Sequence, residues 1–392
     1  MTTDLRPSGR GAGTGDRKRR VLDRTALRAG FLIPGGASLL LGLYAALVLL
    51  GVPNVVSIDG IGDYHAPLLV FGFIGTLIVL ERAVAARHAW GYTAPALLGL
   101  GALSLLTVLP DAVGKSAIAL GFILLIAVYS VVWRRQPAAA TGIQILGAAA
   151  GLSAAVLWLA GVPIPAMVPA MVAFLVLTIL GERLELGRIS PLVTPRVEAF
   201  GLGASMALMA SAILAPLSPA LGYPVFGAVL LVLVGWALTF DVATRLVRSR
   251  GLPRYMAVCL LAGYAWLVVA GAAWIVAGGQ ATGWVYDAVL HSVFLGFVIS
   301  MIMAHAPVIL PAVLRVPLPY RPFLYLPLIV LHVALVVRVL GDFRELPDLV
   351  RLGGYGNVAA LVLFVVLAVT TALVGERLRP ERPSQPKPEA QE

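Results

Sequence analysis

At 392 residues, with 60% hydrophobic and 12% charged side chains and a mean hydropathy of +0.94, the chain is too apolar to stay in water as a soluble domain. An integral membrane protein is expected. Its net charge of +10 is accounted for by the topology below, which sets aside a nucleic-acid partner. A single cysteine, Cys259, excludes an internal disulfide and any cysteine cluster for zinc or iron–sulfur.

Residues 1–29 are rich in Arg and Gly and read as a disordered basic cytoplasmic arm. A bilayer core of ~30 Å needs ~20 apolar residues per helix. Twelve such runs follow, at roughly 30–51, 64–86, 92–110, 115–133, 139–160, 163–181, 198–215, 221–240, 255–277, 285–313, 322–341 and 355–375. The runs are continuous rather than alternating, which favours helices over a barrel. The fold class is therefore all-α: a polytopic bundle of about 12 transmembrane helices over residues 30–377, with a disordered cytoplasmic tail at 378–392. No small-residue cleavage site follows the first run, so it stays as helix one.

If the chain starts in the cytoplasm and alternates, only Lys115, Arg338, Arg344 and Arg351 of the 29 Lys and Arg residues lie outside, leaving 29 − 4 = 25 inside. This bias puts both termini in the cytoplasm of a multi-pass protein of a bacterial-type inner (plasma) membrane. The bilayer is the one certain partner, and a homo-oligomer is allowed.

The cytoplasmic ends of helices two, six and twelve carry Leu80-Glu81-Arg82, Gly181-Glu182-Arg183 and Gly375-Glu376-Arg377. His65 and His291 lie 226 residues apart, twice 113, and Arg134 and Arg248 differ by 114. Three arcs of four helices would follow, with helices two, six and ten equivalent. The alternative is that any tightly looped bundle repeats at this interval and that Glu-Arg is ordinary interfacial chemistry. Glu81, Glu182, Glu376 and Asp241 then read as interfacial ion pairs.

His65 and His291 carry the functional reading, because an ionisable residue inside a bilayer is costly. Both helices two and ten run from outside to inside, and each histidine is near the beginning of its span. The imidazoles therefore share a depth near the outer face. Two imidazoles across an apolar slot suit a six-coordinate haem, the porphyrin supplying the other four ligands. A ligating histidine usually gives its second N–H to a carboxylate or carbonyl. Asp287 is one turn before His291, whereas Asp63 could help His65 only from the start of the helix. Gly72, seven residues after His65, falls on the same face of a regular helix and would leave room for a ring edge. Arg338 and Arg344 are candidate partners for the propionates. The plainer reading of each histidine is a side chain that snorkels or bonds a carbonyl.

The segment His65-Ala-Pro-Leu-Leu-Val-Phe-Gly-Phe-Ile-Gly-Thr-Leu, followed by Trp90-Gly-Tyr, resembles the second-helix block of the NnrS proteins. More distantly it is similar to the second helix of haem–copper oxidase subunit I. Residues 291–341, with the turn Arg315-Val-Pro-Leu-Pro-Tyr-Arg321 and the helix end Arg338-Val-Leu-Gly-Asp342, look like the corresponding NnrS region. The likeness covers about a quarter of the chain at motif level, plus the twelve-helix layout. It implies a haem-containing membrane protein, with copper as a further metal, connected with nitric oxide or nitrosative stress. In the oxidase relatives the second- and tenth-helix histidines hold the low-spin haem, which corresponds to His65 and His291.

The departures from that pattern are specific. An oxidase centre needs six histidines and this chain has five, of which His88 is in a cytoplasmic loop. Helices six and seven hold Met167, Met171, Met206 and Met209 in place of histidine. Thioethers could bind Cu(I), or simply fill the core. Oxygen reduction is not expected. His305 lies fourteen residues after His291, ~21 Å deeper by helical rise, so they cannot share one metal. With His332 it could form a second site only if Pro307 and Pro311 bring the two to one level.

Nucleotide-binding, zinc-hydrolase and serine-hydrolase motifs are absent from the sequence. The expected function is thus a b-type haem held by His65 and His291, in redox or nitric-oxide-related chemistry, whether as catalyst, sensor or electron carrier, with its electron donor open. The rivals are a secondary transporter, which would show polar groups at mid-membrane and broken helices in two halves, and a cofactorless subunit of a respiratory complex.

Overall fold

The computed structural model describes residues 13–377 apart from 57, 189, 280–281 and 315–317. The C-terminal tail at 378–392, residues 1–12 of the N-terminal arm and the start of the Arg315 turn lie outside the described residues. The described chain is all helix and turn, and eleven of its helices are long and apolar enough to cross a membrane.

In chain order the crossings are α1 (Gly13–Leu49), α2 (Ile61–Ala86), α3 (Thr93–Ser104), α4 (Asp111–Arg135), α5 (Ala139–Leu159), α6 (Ile164–Gly187), α7 (Pro195–Leu217), α8 (Pro219–Phe240), α9 (Leu252–Ala277), α10 (Trp284–Pro311), α11 (Tyr325–Phe343) and α12 (Pro347–Arg377). Two sequence expectations change. Helix α1 begins at Gly13, so the backbone of 13–29, expected as a disordered arm, continues the first span as helix. The third run, expected over 92–110, forms only twelve helical residues. Ser104 and Thr107 turn their hydroxyls back onto the carbonyls of Gly101 and Ser104, and Pro110 follows, so the chain leaves the helix before the apolar run ends.

That short helix still returns the chain across the bundle. Tyr64 at the start of α2 donates to Asp111 at the start of α4, at 3.0 Å, so both helices begin on one face. Only a crossing between them allows this, and the 3-10 turn Ala89–Tyr92 extends α3 to make it. On the opposite face Arg82 of α2 reaches Glu185 of α6 at 3.2 Å, and His88 meets Arg135 at 3.0 Å. The helices alternate throughout, and the arginine-rich ends gather on one side, called here the basic face.

Burial orders the helices. The most apolar stretches of α2, α6 and α10 are 56%, 83% and 67% buried, above every other span. Helix α6 has no polar face over Ile-Pro-Ala-Met-Val-Pro-Ala-Met-Val-Ala-Phe-Leu, so no side of this stretch needs water, and its neighbours enclose it. The inner trio is the one the repeat reading marked as equivalent, one from each four-helix arc. Close approach is bought by glycine where helices touch: a Cβ at Gly222 would stand 2.4 Å from Ala215 Cα, and one at Gly147 2.7 Å from Thr178 Oγ1.

Helices α2 and α10 share a further feature. Each changes from α to π geometry just after its histidine, over Leu68–Gly75 and Ser292–Ile299, and then returns to α. Such wide turns rarely run this long and concentrate at functional sites. Nothing in the apolar sequence of either segment announces them.

Candidate functional site

His65 sits at the first turn of α2 and His291 at the corresponding level of α10, and both line one cavity. The cavity holds about 930 Å³ of space free of protein atoms, its mouth included. Leu43, Leu69, Phe73, Val168, Phe294 and Leu361 give it apolar walls, with Arg338 at the rim.

The hydrogen bonds fix the tautomers. His65 Nδ1 lies 2.9 Å from the carbonyl oxygen of Gly42 on α1, so Nδ1 carries the proton and donates. His291 Nδ1 lies 2.8 Å from the carbonyl of Asp287 and 3.3 Å from its Oδ2. In the neutral rings both Nε2 atoms would keep a lone pair, and neither has a hydrogen-bond partner among the described residues. Asp63, weighed above for His65, is exposed and makes no such bond; the main chain of α1 takes that place.

Asp287 is itself held. Arg338 Nε and Nη2 form a fork on its carboxylate at 2.9 and 3.0 Å, tying α11 to the head of α10. The guanidinium fits because α12 offers two glycines. A Cβ at Gly353 would stand 2.5 Å from the Arg338 backbone nitrogen, and one at Gly354 2.9 Å from Nη1. The Gly353-Gly354 pair is the sequence signal for this packing, and sequence reasoning passed over it. Arg338, which lines the cavity, is therefore committed first to Asp287 through Nε and Nη2; Arg344, the other propionate candidate, is exposed beyond the end of α11. Asp342 is fully buried on the same helix, and among the described residues neither carboxyl oxygen receives a hydrogen bond.

Gly72 does not face the cavity. A Cβ there would meet Ser38 Oγ at 2.6 Å and Ala102 Cβ at 2.8 Å, so this glycine admits α1 and α3. The expectation assumed regular α periodicity, and the π run from Leu68 rotates every later residue away from that register. The residues of α2 that line the cavity are His65, Ala66, Leu69, Val70, Phe73 and Ile74.

His305 and His332 are not brought to one centre. His305 donates from Nδ1 to the Met301 carbonyl at 2.7 Å and receives Arg183 Nη1 on Nε2 at 3.3 Å. His332 accepts Trp266 Nε1 on Nδ1 at 3.0 Å and turns Nε2 to Ser300 Oγ at 3.4 Å. All four ring nitrogens are engaged, His305 by a cation, so the second metal site is not formed by these rings. Among the described residues no group of three or more His, Cys, Asp or Glu side chains is placed to hold a metal ion. The four methionines considered for copper are also spread out: Met167 and Met171 are buried on α6, while Met206 on α7 is 52% exposed.

A second cavity continues from the first toward the basic face, and the two share Leu39, Phe73, Ile74, Ile299 and Leu361. Its far end carries Glu81, Glu182 and His305. Arg82 bonds Glu81 at 2.9 Å and approaches Glu182 at 3.8 Å, joining the Glu-Arg ends of α2 and α6. Asp241, expected as an interfacial ion pair, is buried instead and bonds Arg183, Tyr264 and the Ala243 amide. The side chain of Glu376 lies outside the described residues.

The family model described as a domain of unknown function, DUF8744, matches residues 28–373. No curated protein and no solved structure matches the chain.

Proposed function

The chain belongs to the DUF8744 family, and we propose that it is a b-type haem protein of the membrane in which His65 and His291 are the axial pair, working in electron transfer or in redox chemistry linked to nitric oxide. The observation that carries this reading is the pair of imidazoles on one apolar cavity, each with Nδ1 bound to a main-chain carbonyl and Nε2 left open. Two neutral nitrogen donors and hydrocarbon walls are what a porphyrin iron asks of a protein. Bound there, the haem would supply one-electron transfer. The positive charge of the basic arm and loops supports a cytoplasmic basic face, with the histidines toward the outer surface.

The residues around the pair have defined tasks. The Gly42 carbonyl fixes the ring of His65, and Asp287 does the same for His291. Arg338 holds Asp287 and neutralises it in a medium where an isolated charge is costly. An Asp287→Asn variant keeps the shape and loses the charge. Its haem affinity should fall about 10- to 100-fold, read as the haem retained per protein on titration. Unchanged affinity would remove Asp287 from the site.

The transporter reading asks for polar groups at the centre of the pathway. The residues common to the two cavities are apolar, which supports a bound hydrophobic group over a polar solute in transit.

The test is an oxidised-minus-reduced optical spectrum of detergent-purified protein with pyridine haemochrome quantification. A stoichiometric b-type spectrum is expected. A preparation that stays colourless after expression with added haem would overturn the assignment.

A further inference from the structure

The second cavity has a use that the histidine pair does not explain. It contains about 1430 Å³ of space free of protein atoms, its mouth included, and continues from the wall of the first cavity to the basic end of α2 and α6. Its mouth lies between α1 and α12: Val369 on its edge is 52% exposed, and a Cβ built on Gly36 would meet nothing within 4 Å. Its length is walled by Phe73, Ile78, Ile302, Phe364 and similar side chains, and polar groups cluster at one end. An occupant must therefore be an amphiphile that enters sideways from the bilayer, with a long apolar tail and a compact polar head.

The head group is constrained by what it would meet. Glu182 makes no hydrogen bond within the described protein, its nearest cation being Arg82 at 3.8 Å. Glu81 gives one oxygen to Arg82 and keeps the other. His305 has both nitrogens engaged. Two carboxyl groups with free oxygens repel the phosphate of a phospholipid and the carboxylate of a fatty acid. They suit an uncharged head with hydroxyl donors in one state and carbonyl acceptors in the other, since a carboxylate accepts from the first and a carboxylic acid donates to the second.

We infer that this cleft binds a membrane quinol, with its ring beside Glu81 and Glu182 and its isoprenoid tail along α1 and α12, and that it is the electron donor to the His65–His291 centre. The choice of a redox-active occupant rests on the haem reading above. The shared wall of Leu39, Phe73, Ile74, Ile299 and Leu361 makes the two sites neighbours. In the step, one quinol loses two electrons and two protons and becomes the quinone. The protons pass from the ring hydroxyls to Glu81 and Glu182 and on to the basic face. A haem held by His65 and His291 would accept these electrons one at a time, so that the two electrons of one quinol would be shared between two such haems.

The experiment uses the full chain in nanodiscs, with decylubiquinone and its quinol as probes. Saturable binding of radiolabelled decylubiquinone is measured without reference to haem, and haem reduction by decylubiquinol is followed optically. Gly36→Phe fills open space in the cleft and touches neither histidine. It should leave the haem spectrum intact, weaken quinone binding about tenfold or more, equivalent to about 1.4 kcal/mol, and slow reduction in parallel. The doubly substituted Glu81→Gln, Glu182→Gln protein should show the same pattern. No saturable binding, or wild-type binding and reduction in the Gly36→Phe protein, would overturn the inference. A colourless protein that still binds the quinone would instead overturn only the haem reading and the electron transfer. Displacement of the probe by a quaternary ammonium amphiphile but not by decylubiquinol would assign the cleft to cations and end the quinol proposal.

Discussion

His65→Ala and His291→Ala should each strip the purified protein of most of its haem, with the retained fraction falling at least as far as the about 10- to 100-fold expected for losing a supporting partner of a ligand. The two substitutions act through different surroundings. At His65 the loss frees the Gly42 carbonyl in a helix, where the peptide can remain bonded within α1. At His291 it leaves Asp287 with Arg338 alone, which still neutralises it. Neither change leaves an unpaired charge, so the bundle should survive and the effect should be confined to the site. Added imidazole discriminates a ligand from a structural prop: it can enter the vacated space, supply a nitrogen and restore the six-coordinate spectrum. A ligand lost from one side would also open the iron to carbon monoxide and nitric oxide, which the intact pair excludes. If both variants kept wild-type haem and spectrum, the axial assignment would fall.

The sequence carried the fold because a bilayer reduces the question to length and hydropathy. Eleven of the twelve runs become helices long enough to cross, and the third forms a shorter helix because Ser104, Thr107 and Pro110 end it early. The 226-residue separation of the histidines suggests three arcs with α2, α6 and α10 equivalent, and these are the three most buried spans, whereas the Glu-Arg ends fall on α2, α6 and α12 and do not follow that equivalence. The site was legible as far as local geometry extends. Asp287 is one turn from His291 and bonds it.

Where the reading went astray, a non-local or irregular feature decided the outcome. Gly72 was assigned to the wrong neighbour because π turns change the angular step of a helix and leave no mark in an apolar run. The partner of His65 is a main-chain oxygen of α1, which no side-chain motif can reveal. His305 could join His332 only if two prolines brought them to one level; instead its ring bonds the Met301 carbonyl and Arg183, 122 residues earlier. Asp241 looked like a helix-end acid, and only packing of α6, α8 and α9 shows that it is enclosed.

Asp241→Asn should be the most destabilising single change on the basic face. The carboxylate receives Arg183 Nη2 at 2.7 Å and Nε at 2.9 Å, the Tyr264 hydroxyl at 2.8 Å and the Ala243 amide at 2.9 Å. It is 2% exposed, and Arg183 is 6% exposed. The amide keeps the shape but turns two donors toward a guanidinium that already donates, and removes the only carboxylate hydrogen-bonded to it among the described residues. Breaking a buried pair from one side costs about 3–5 kcal/mol, because the remaining charge stays buried and uncompensated. The melting temperature in detergent should fall accordingly. The proton linkage has the same origin. Burial pushes the Asp241 carboxyl up, but the bonds and charge of Arg183 outweigh it and hold the group below its ordinary value. Its stabilisation is thus complete above the unfolded carboxylate value of about 3.9 and is lost as acid titrates through the lower folded value. Removing both charges in Asp241→Leu, Arg183→Met should recover part of the loss, since the penalty lies in the orphaned guanidinium. A double variant as unstable as the sum of its single changes would show that the two side chains act through packing and not as a pair.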